Sequence, residues 1–276
     1  MTNYTRVTRQ IMHNDSNISY FVDGDNKNPP LMLLPGFTGT HGDLLALATY
    51  LKKDFFLIFP EFPGWGESKK ENSPLTIEDY AKIVGQIAQE LGFAKVGIVG
   101  HCMGATVAIE TAYQFPKIVR QLFLISTPYQ KGTGGQLFFT LMTRLSKKVP
   151  QFLRPVFYFW RSRVLTVPLS FFIIKTKTFS HKCHLITKTL FAQSHQDEDV
   201  VERNWDSLIH YPYERARKIT IPAVLLHGAK DMLIPMSQAE KLQKIFPNAK
   251  LVVLPNAGHL PPVETPGEVA KEVLGN

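Results

Sequence analysis

A chain of 276 residues with 44% hydrophobic and 20% charged side chains has a globular composition and enough length to bury one large core, which excludes a disordered chain. No stretch approaches the roughly 20 uninterrupted apolar residues of a membrane span, and two cysteines cannot build a disulfide framework. The formal charge of +8 points toward an anionic partner, but no zinc-finger, helix-turn-helix or RNP pattern accompanies it, so no nucleic-acid partner is expected.

The first residues, Met1 to Arg6, lack the apolar core of a secretory signal, and a cytoplasmic location is the expectation. Two strands follow, Arg6–Ile11 and Ile18–Val22, with turn chemistry from Asn14-Asp15-Ser16-Asn17 between them. Leu31–Leu34 is a short apolar run ending at Pro35-Gly36, the pattern of a strand buried on both faces. A helix from about Asp43 to Lys52 and a buried strand Phe55–Phe59 come next. Thr76–Leu91 reads as an amphipathic helix opened by the capping pattern Thr76-Ile77-Glu78-Asp79 and closed by Gly92.

Alternation continues with strand Val96–Val99, helix Gly104–Phe115 stopped by Pro116, and strand Gln121–Ile125. It resumes with strand Ala223–His227, helix Ser237–Phe246, strand Lys250–Leu254 and helix Glu264–Leu274. Strands and helices at this spacing predict an α/β fold, a mostly parallel sheet with helices on both faces. Between the two runs the alternation disappears, and the chain turns aromatic, basic and helical in pattern. This segment is expected to be a helical cap, residues 127–220, inserted into a core formed by 1–126 and 221–276. Its basic residues are densest from Arg144 to Lys188.

The chemistry concentrates at Gly100-His101-Cys102-Met103-Gly104, between an apolar strand and a helix. A strand-to-helix turn this tight strains the central residue and leaves no room for side chains at the two glycines. It also sets Cys102 at a helix N-terminus, where the dipole and unpaired N–H groups favour negative charge. A buried cysteine in an ordinary turn is the bland alternative. The flanking elements favour a nucleophile.

With Asp231 just beyond the strand ending at His227, and His259 in Asn256-Ala257-Gly258-His259-Leu260-Pro261 just beyond the last strand, the chain resembles the α/β-hydrolase superfamily over nearly its whole length. Nucleophile, acid, histidine is the chain order of that fold. The resemblance implies that His259 accepts the thiol proton of Cys102 and that Asp231 orients the imidazole. Some relatives take the acid from the end of an earlier strand, but Ser126-Thr127-Pro128 offers no carboxylate there; Asp197, Asp199 and Glu264 are weaker candidates. The resemblance likewise implies an oxyanion hole from the backbone N–H groups of Phe37, in Leu33-Leu34-Pro35-Gly36-Phe37-Thr38-Gly39, and Met103. Gly64-Trp65-Gly66-Glu67-Ser68 resembles the G-x-G-x-S turn of the same superfamily, a structural feature; it lacks the lysine of a phosphate-binding loop. His101 and His227 are expected to be structural, and no metal or other cofactor is expected.

Cysteine at the nucleophile position argues against an alkyl-ester mechanism, which needs aspartate there, and leaves acyl transfer through a thioester intermediate. The expected enzyme is a thioesterase or acyltransferase acting on an apolar acyl ester or thioester. Phe138, Phe139 and Trp160 of the cap are candidate substrate-binding residues. An acyl-carrier protein would suit the basic surface as a donor, and the cap's Lys147, Lys148, Arg154, Arg161 and Arg163 would suit transient membrane contact. Three alternatives stay open: a carboxylesterase or lactone hydrolase, a serine enzyme whose nucleophile has been changed to cysteine, and a hydrolase-fold binding protein with little turnover.

Overall fold

A computed structural model describes residues 7–13, 16–37, 39–68, 75–129 and 198–275. The Val7–His13 (β1) and Ser16–Asp23 (β2) strands form an antiparallel hairpin, and β2 pairs antiparallel with Phe56–Pro60 (β4). From β4 onward every pairing is parallel. The strands Pro30–Leu34 (β3), Val96–His101 (β5), Val119–Ile125 (β6), Ala223–Gly228 (β7) and Ala249–Leu254 (β8) complete an eight-stranded sheet in the order β1-β2-β4-β3-β5-β6-β7-β8. This is the predicted α/β architecture, with antiparallel pairing confined to one edge.

Strand alternation sorts the side chains onto two faces. Met32, Leu34, Ile58, Ile98, Leu122, Leu124 and Leu225 belong to one core cluster, while Leu31, Leu33, Leu57, Val99, Phe123, Ile125 and Leu226 belong to the other. Both clusters are closed by helices. The first is covered by Ile77–Glu90 (α2), Met103–Gln114 (α3) and Met236–Ile245 (α5), and the second by Leu45–Leu51 (α1) and Pro266–Leu274 (α7). Burying each such aliphatic side chain contributes about 1.5–3 kcal/mol, so a continuous double-sided core holds the central strands rigid. That rigidity positions the loops at their ends.

Local signals account for the element boundaries. The Thr76 side chain accepts the Asp79 N–H while the Asp79 carboxylate accepts the Thr76 N–H, the predicted capping box of α2. A second box, Thr40 with Asp43, starts the chain turning earlier than expected, as a 3-10 turn over His41–Leu44 that runs into α1. The last predicted helix, Glu264–Leu274, starts two residues later as Pro266–Leu274 (α7), and a short helix, Pro261–Glu264 (α6), precedes it across a break at Thr265. Pro266 clashes with a helical residue before it, and Thr265 accordingly leaves the helical region at φ −137°, ψ 55°.

Of the expected cap, residues 127–129 and 198–220 are described. Glu198–Ile209 (α4) and a 3-10 turn, Tyr213–Lys218, pack onto α2 and α3. The Tyr80 hydroxyl donates to Asn204 Oδ1 at 2.6 Å and the Ile77 N–H to Ser207 Oγ at 2.9 Å. Phe138, Phe139 and Trp160 lie outside the described residues, as do Lys147, Lys148, Arg154, Arg161, Arg163 and Cys183. Among the described residues no helix is long and apolar enough to cross a membrane.

Candidate active site

Because β3, β5, β6, β7 and β8 run parallel, their C-terminal ends lie along one edge of the sheet, where the loops after them converge. Cys102, Asp231 and His259 all sit at that edge. Cys102 links β5 to α3 at φ 50°, ψ −112°, a left-handed conformation that costs a non-glycine residue on the order of 1–3 kcal/mol. Its N–H donates to Ile125 O at 2.9 Å, which ties the turn to the neighbouring strand. The glycines are required by contact: a Cβ at Gly100 would lie 2.4 Å from Gly104 O, and one at Gly104 would lie 2.4 Å from Leu34 O. The cysteine is free and nearly enclosed, at 9% exposure.

Asp231 lies in the turn after β7, its side chain inaccessible to solvent. Its Oδ1 accepts the N–H groups of Leu233 and Ile234, both at 2.9 Å, and its Oδ2 accepts from His259 Nδ1 at 2.9 Å. Burial opposes its ionisation, but His259, the Ile234 N–H and nearby His227 outweigh that and pull its carboxyl down to about 2. Burial likewise disfavours the charged form of His259, yet the Asp231 carboxylate and a hydrogen bond with the Cys102 side chain hold its imidazole well above the usual histidine value. With Nδ1 given to Asp231, Nε2 is the nitrogen left for the sulfur.

The backbone around His259 is clamped from both sides. Glu264 accepts the N–H groups of Gly258 at 3.0 Å and Leu260 at 2.9 Å, so this weaker acid candidate serves instead to hold the histidine loop. His101 Nε2 donates to the His259 carbonyl at 2.8 Å. Burial, aided by the charge of His259, lowers the His101 imidazole to about 3 and keeps it neutral. His227 donates through Nε2 to Ile234 O at 2.9 Å, supporting the same loop that presents Asp231. Asp197 and the side chain of Asp199 lie outside the described residues.

The loop after β3 reaches the same place. A Cβ at Gly36 would lie 2.7 Å from His101 Nδ1 and 3.4 Å from Cys102 Cβ, so its backbone passes directly against the turn. The Gly39 N–H donates to Gly36 O at 2.9 Å, closing the loop around Phe37. The Phe37 ring packs between Trp65, at 5.7 Å, and Trp205 of α4, at 5.4 Å. Met103 opens α3, so its N–H is one of the helix's first donors, which lack an intrahelical acceptor. The Gly64–Ser68 turn folds around Glu61, whose buried carboxylate meets His41 and accepts the Glu67 N–H at 2.5 Å. Among the described residues no cluster of three His, Cys, Asp or Glu side chains is arranged to hold a metal ion.

Residues 211–215 bring in groups that local sequence reading did not single out. The Tyr211 hydroxyl donates to Glu110 Oε2 at 2.7 Å, and Arg215 bridges Glu110 and Glu78 at 2.8 Å each. The Tyr213 hydroxyl lies 2.8 Å from Thr106 Oγ1, one helical turn beyond Cys102. No local signal marks these pairs, because their partners are more than 100 residues apart.

A family model described as alpha/beta hydrolase fold matches residues 29–266. The chain is 26% identical to the pyrrolizixenacetamide deacetylase of Xenorhabdus hominickii, over 92% of this chain and 92% of that protein. It is 24% identical to Lipase 1 of Psychrobacter immobilis, over 91% of this chain and 77% of that one. The fold superposes on the enol-lactonase from Burkholderia xenovorans LB400 with a TM-score of 0.83 at 17% identity, covering 97% of this chain and 98% of the other.

Proposed function

The chain belongs to the alpha/beta hydrolase fold family, and from that premise we propose that it is an acyl-transfer enzyme with Cys102 as nucleophile, His259 as base and Asp231 as orienting acid. Cys102 Sγ attacks the carbonyl carbon of an ester or thioester as His259 Nε2 takes the thiol proton. The tetrahedral oxyanion is held by the Phe37 and Met103 N–H groups. Collapse breaks the bond to the leaving group, which takes the proton from His259, and leaves a thioester on Cys102. Water or another acceptor then attacks that thioester through the same histidine. Each oxyanion donor is worth on the order of 3–4 kcal/mol of barrier.

One observation carries this reading. Cys102, in a strained turn, is close enough to His259 to help raise its imidazole, and the Nδ1 of that imidazole is bound to a fully buried carboxylate. Phe138, Phe139 and Trp160 remain the proposed wall of an apolar acyl pocket. The same cytoplasmic reading keeps an acyl-carrier protein as donor, which the net charge of +8 suits, and membrane contact through the cap. A second reading, a carboxylester or lactone hydrolase, is favoured by relatives that bear the names lipase and deacetylase and by the enol-lactonase likeness in fold. The two differ in the bond cleaved and in whether an acceptor other than water takes the acyl group.

Intact mass spectrometry after incubation with a panel of acyl thioesters and esters tests the nucleophile. The expected result is an acyl adduct on the wild-type protein that is absent from Cys102→Ala. Turnover by Cys102→Ala equal to wild type sinks the proposal. A Cys102→Ser form much faster on simple esters would mean that the cysteine either replaces a serine or is specialised for transfer.

A further inference from the structure

Four hydroxyl groups flank Cys102 and have no part in the reaction described above. Residues 125–129 run along the rim of the site: Ile125 O accepts the Cys102 N–H, and the Tyr129 ring meets the Tyr213 ring edge-on at 5.6 Å. Between those two anchors lie Ser126 and Thr127, at 0% and 2% exposure. Their hydroxyl oxygens are buried and have no hydrogen-bond partner among the described residues. Buried polar groups are almost always paired in folded proteins, so two neighbouring orphans are an unusual pair.

On α3, Thr106 lies one turn after Cys102 and shares a single hydrogen bond of 2.8 Å with Tyr213. Two hydroxyls bring two protons, and one bond uses only one of them. Neither side chain has a second hydrogen-bond partner among the described residues, so one O–H remains unspent in a place 0% exposed at Thr106 and 8% at Tyr213. Burial first, with the neighbouring Cys102 sulfur adding to it and the Thr106 hydroxyl opposing it, raises the Tyr213 phenol far above its usual value. The phenol therefore keeps its proton at any working pH and is a donor.

We propose that Thr106, Ser126, Thr127 and Tyr213 form a polar subsite beside Cys102 that binds an acyl group carrying an oxo or hydroxy function close to the scissile carbonyl. The subsite rests on the reading of Cys102 as an acyl-accepting nucleophile and narrows the acyl class it takes. An oxygen there accepts the unspent O–H donors, whereas a plain hydrocarbon chain leaves them unsatisfied. Discrimination of this kind is strong because the penalty falls on the ligand that lacks the oxygen.

Calorimetric binding of two uncleavable amides, N-butyl-3-oxohexanamide and N-butylhexanamide, tests the subsite without turnover. Wild type is expected to prefer the oxo amide on the order of tenfold. Tyr213→Phe and Thr127→Val are each expected to reduce that preference severalfold. Thr106→Ser, which keeps the hydroxyl, retains the preference and separates a lost donor from altered packing. Equal affinity of the wild type for the two amides, or no measurable binding of either, overturns the proposal, as does a preference that survives both Tyr213→Phe and Thr127→Val. Mass spectrometry with the matching pair of thioesters keeps the two readings apart. A preference for the oxo amide without any adduct on Cys102 removes the nucleophile alone, and an adduct without the preference removes the subsite alone.

Discussion

His101 is a base buried without charge, and that state sets how the protein meets acid. Its imidazole titrates at about 3 in the folded chain against about 6.5 unfolded, so between those values the unfolded state binds the extra proton. The contribution of His101 is therefore full above pH ~6.5 and falls on acidification by up to about 1.4 kcal/mol per pH unit until pH ~3. Asp231, at about 2 folded against about 3.9 unfolded, adds its own loss only below pH ~4. Urea unfolding of His101→Gln is expected to flatten the slope between pH 6 and 4 while the steeper fall below pH 4 remains. An unchanged slope would mean that His101 is already charged in the folded state. The same side chain holds the His259 carbonyl, so its neutral form also serves the site.

At the scale of elements, the turn at Cys102 forms because α3 and β3 approach at backbone distance. Gly104 permits this, since any Cβ would lie 2.4 Å from Leu34 O and 2.5 Å from Pro35 O, neither of which is a flexible side-chain end. Gly104→Ala is expected to cost about 3 kcal/mol in chemical unfolding, the upper end of the usual range for forced overpacking. Gly92→Ala serves as the contrast: nothing lies within 4 Å, and only its φ of +72° resists substitution, at about 1 kcal/mol. Equal losses from the two would argue that α3 does not press on β3. The break at Thr265 has a similar local cause in Pro266, and it leaves Glu264 at the end of α6, where its carboxylate accepts two N–H groups of the histidine loop.

Across the whole molecule, a polar network joins the chain leaving the insertion to the helices behind the site. Glu110 is 1% exposed on α3 and accepts from both Tyr211 and Arg215, while Arg215 also reaches Glu78 on α2. Removing one member of a buried charge pair leaves the others desolvated and unmatched. Glu110→Ala is expected to lower stability by about 3 kcal/mol in urea unfolding. Glu214→Ala, which removes an exposed carboxylate paired with Arg217, is expected to be nearly silent in the same measurement. A comparable small effect from both would show that residues 211–218 contribute little to holding α3 in place.

Periodicity, capping residues and glycine placement in the sequence determined the strand–helix alternation and the strained turn at Cys102. Each of these follows from contacts within a few residues, where hydrogen-bonding and steric rules act directly on neighbouring letters. The tertiary structure decided what those letters meet. It paired Asp231 with His259, turned Glu264 from a candidate acid into a loop clamp, and set His101 under the His259 backbone. It also brought Tyr213 to Thr106 across 107 positions and left the Ser126 and Thr127 hydroxyls buried beside Cys102. Such pairings depend on which strand ends the parallel sheet gathers at one edge, and side-chain desolvation there is a property of the assembled core rather than of any local segment.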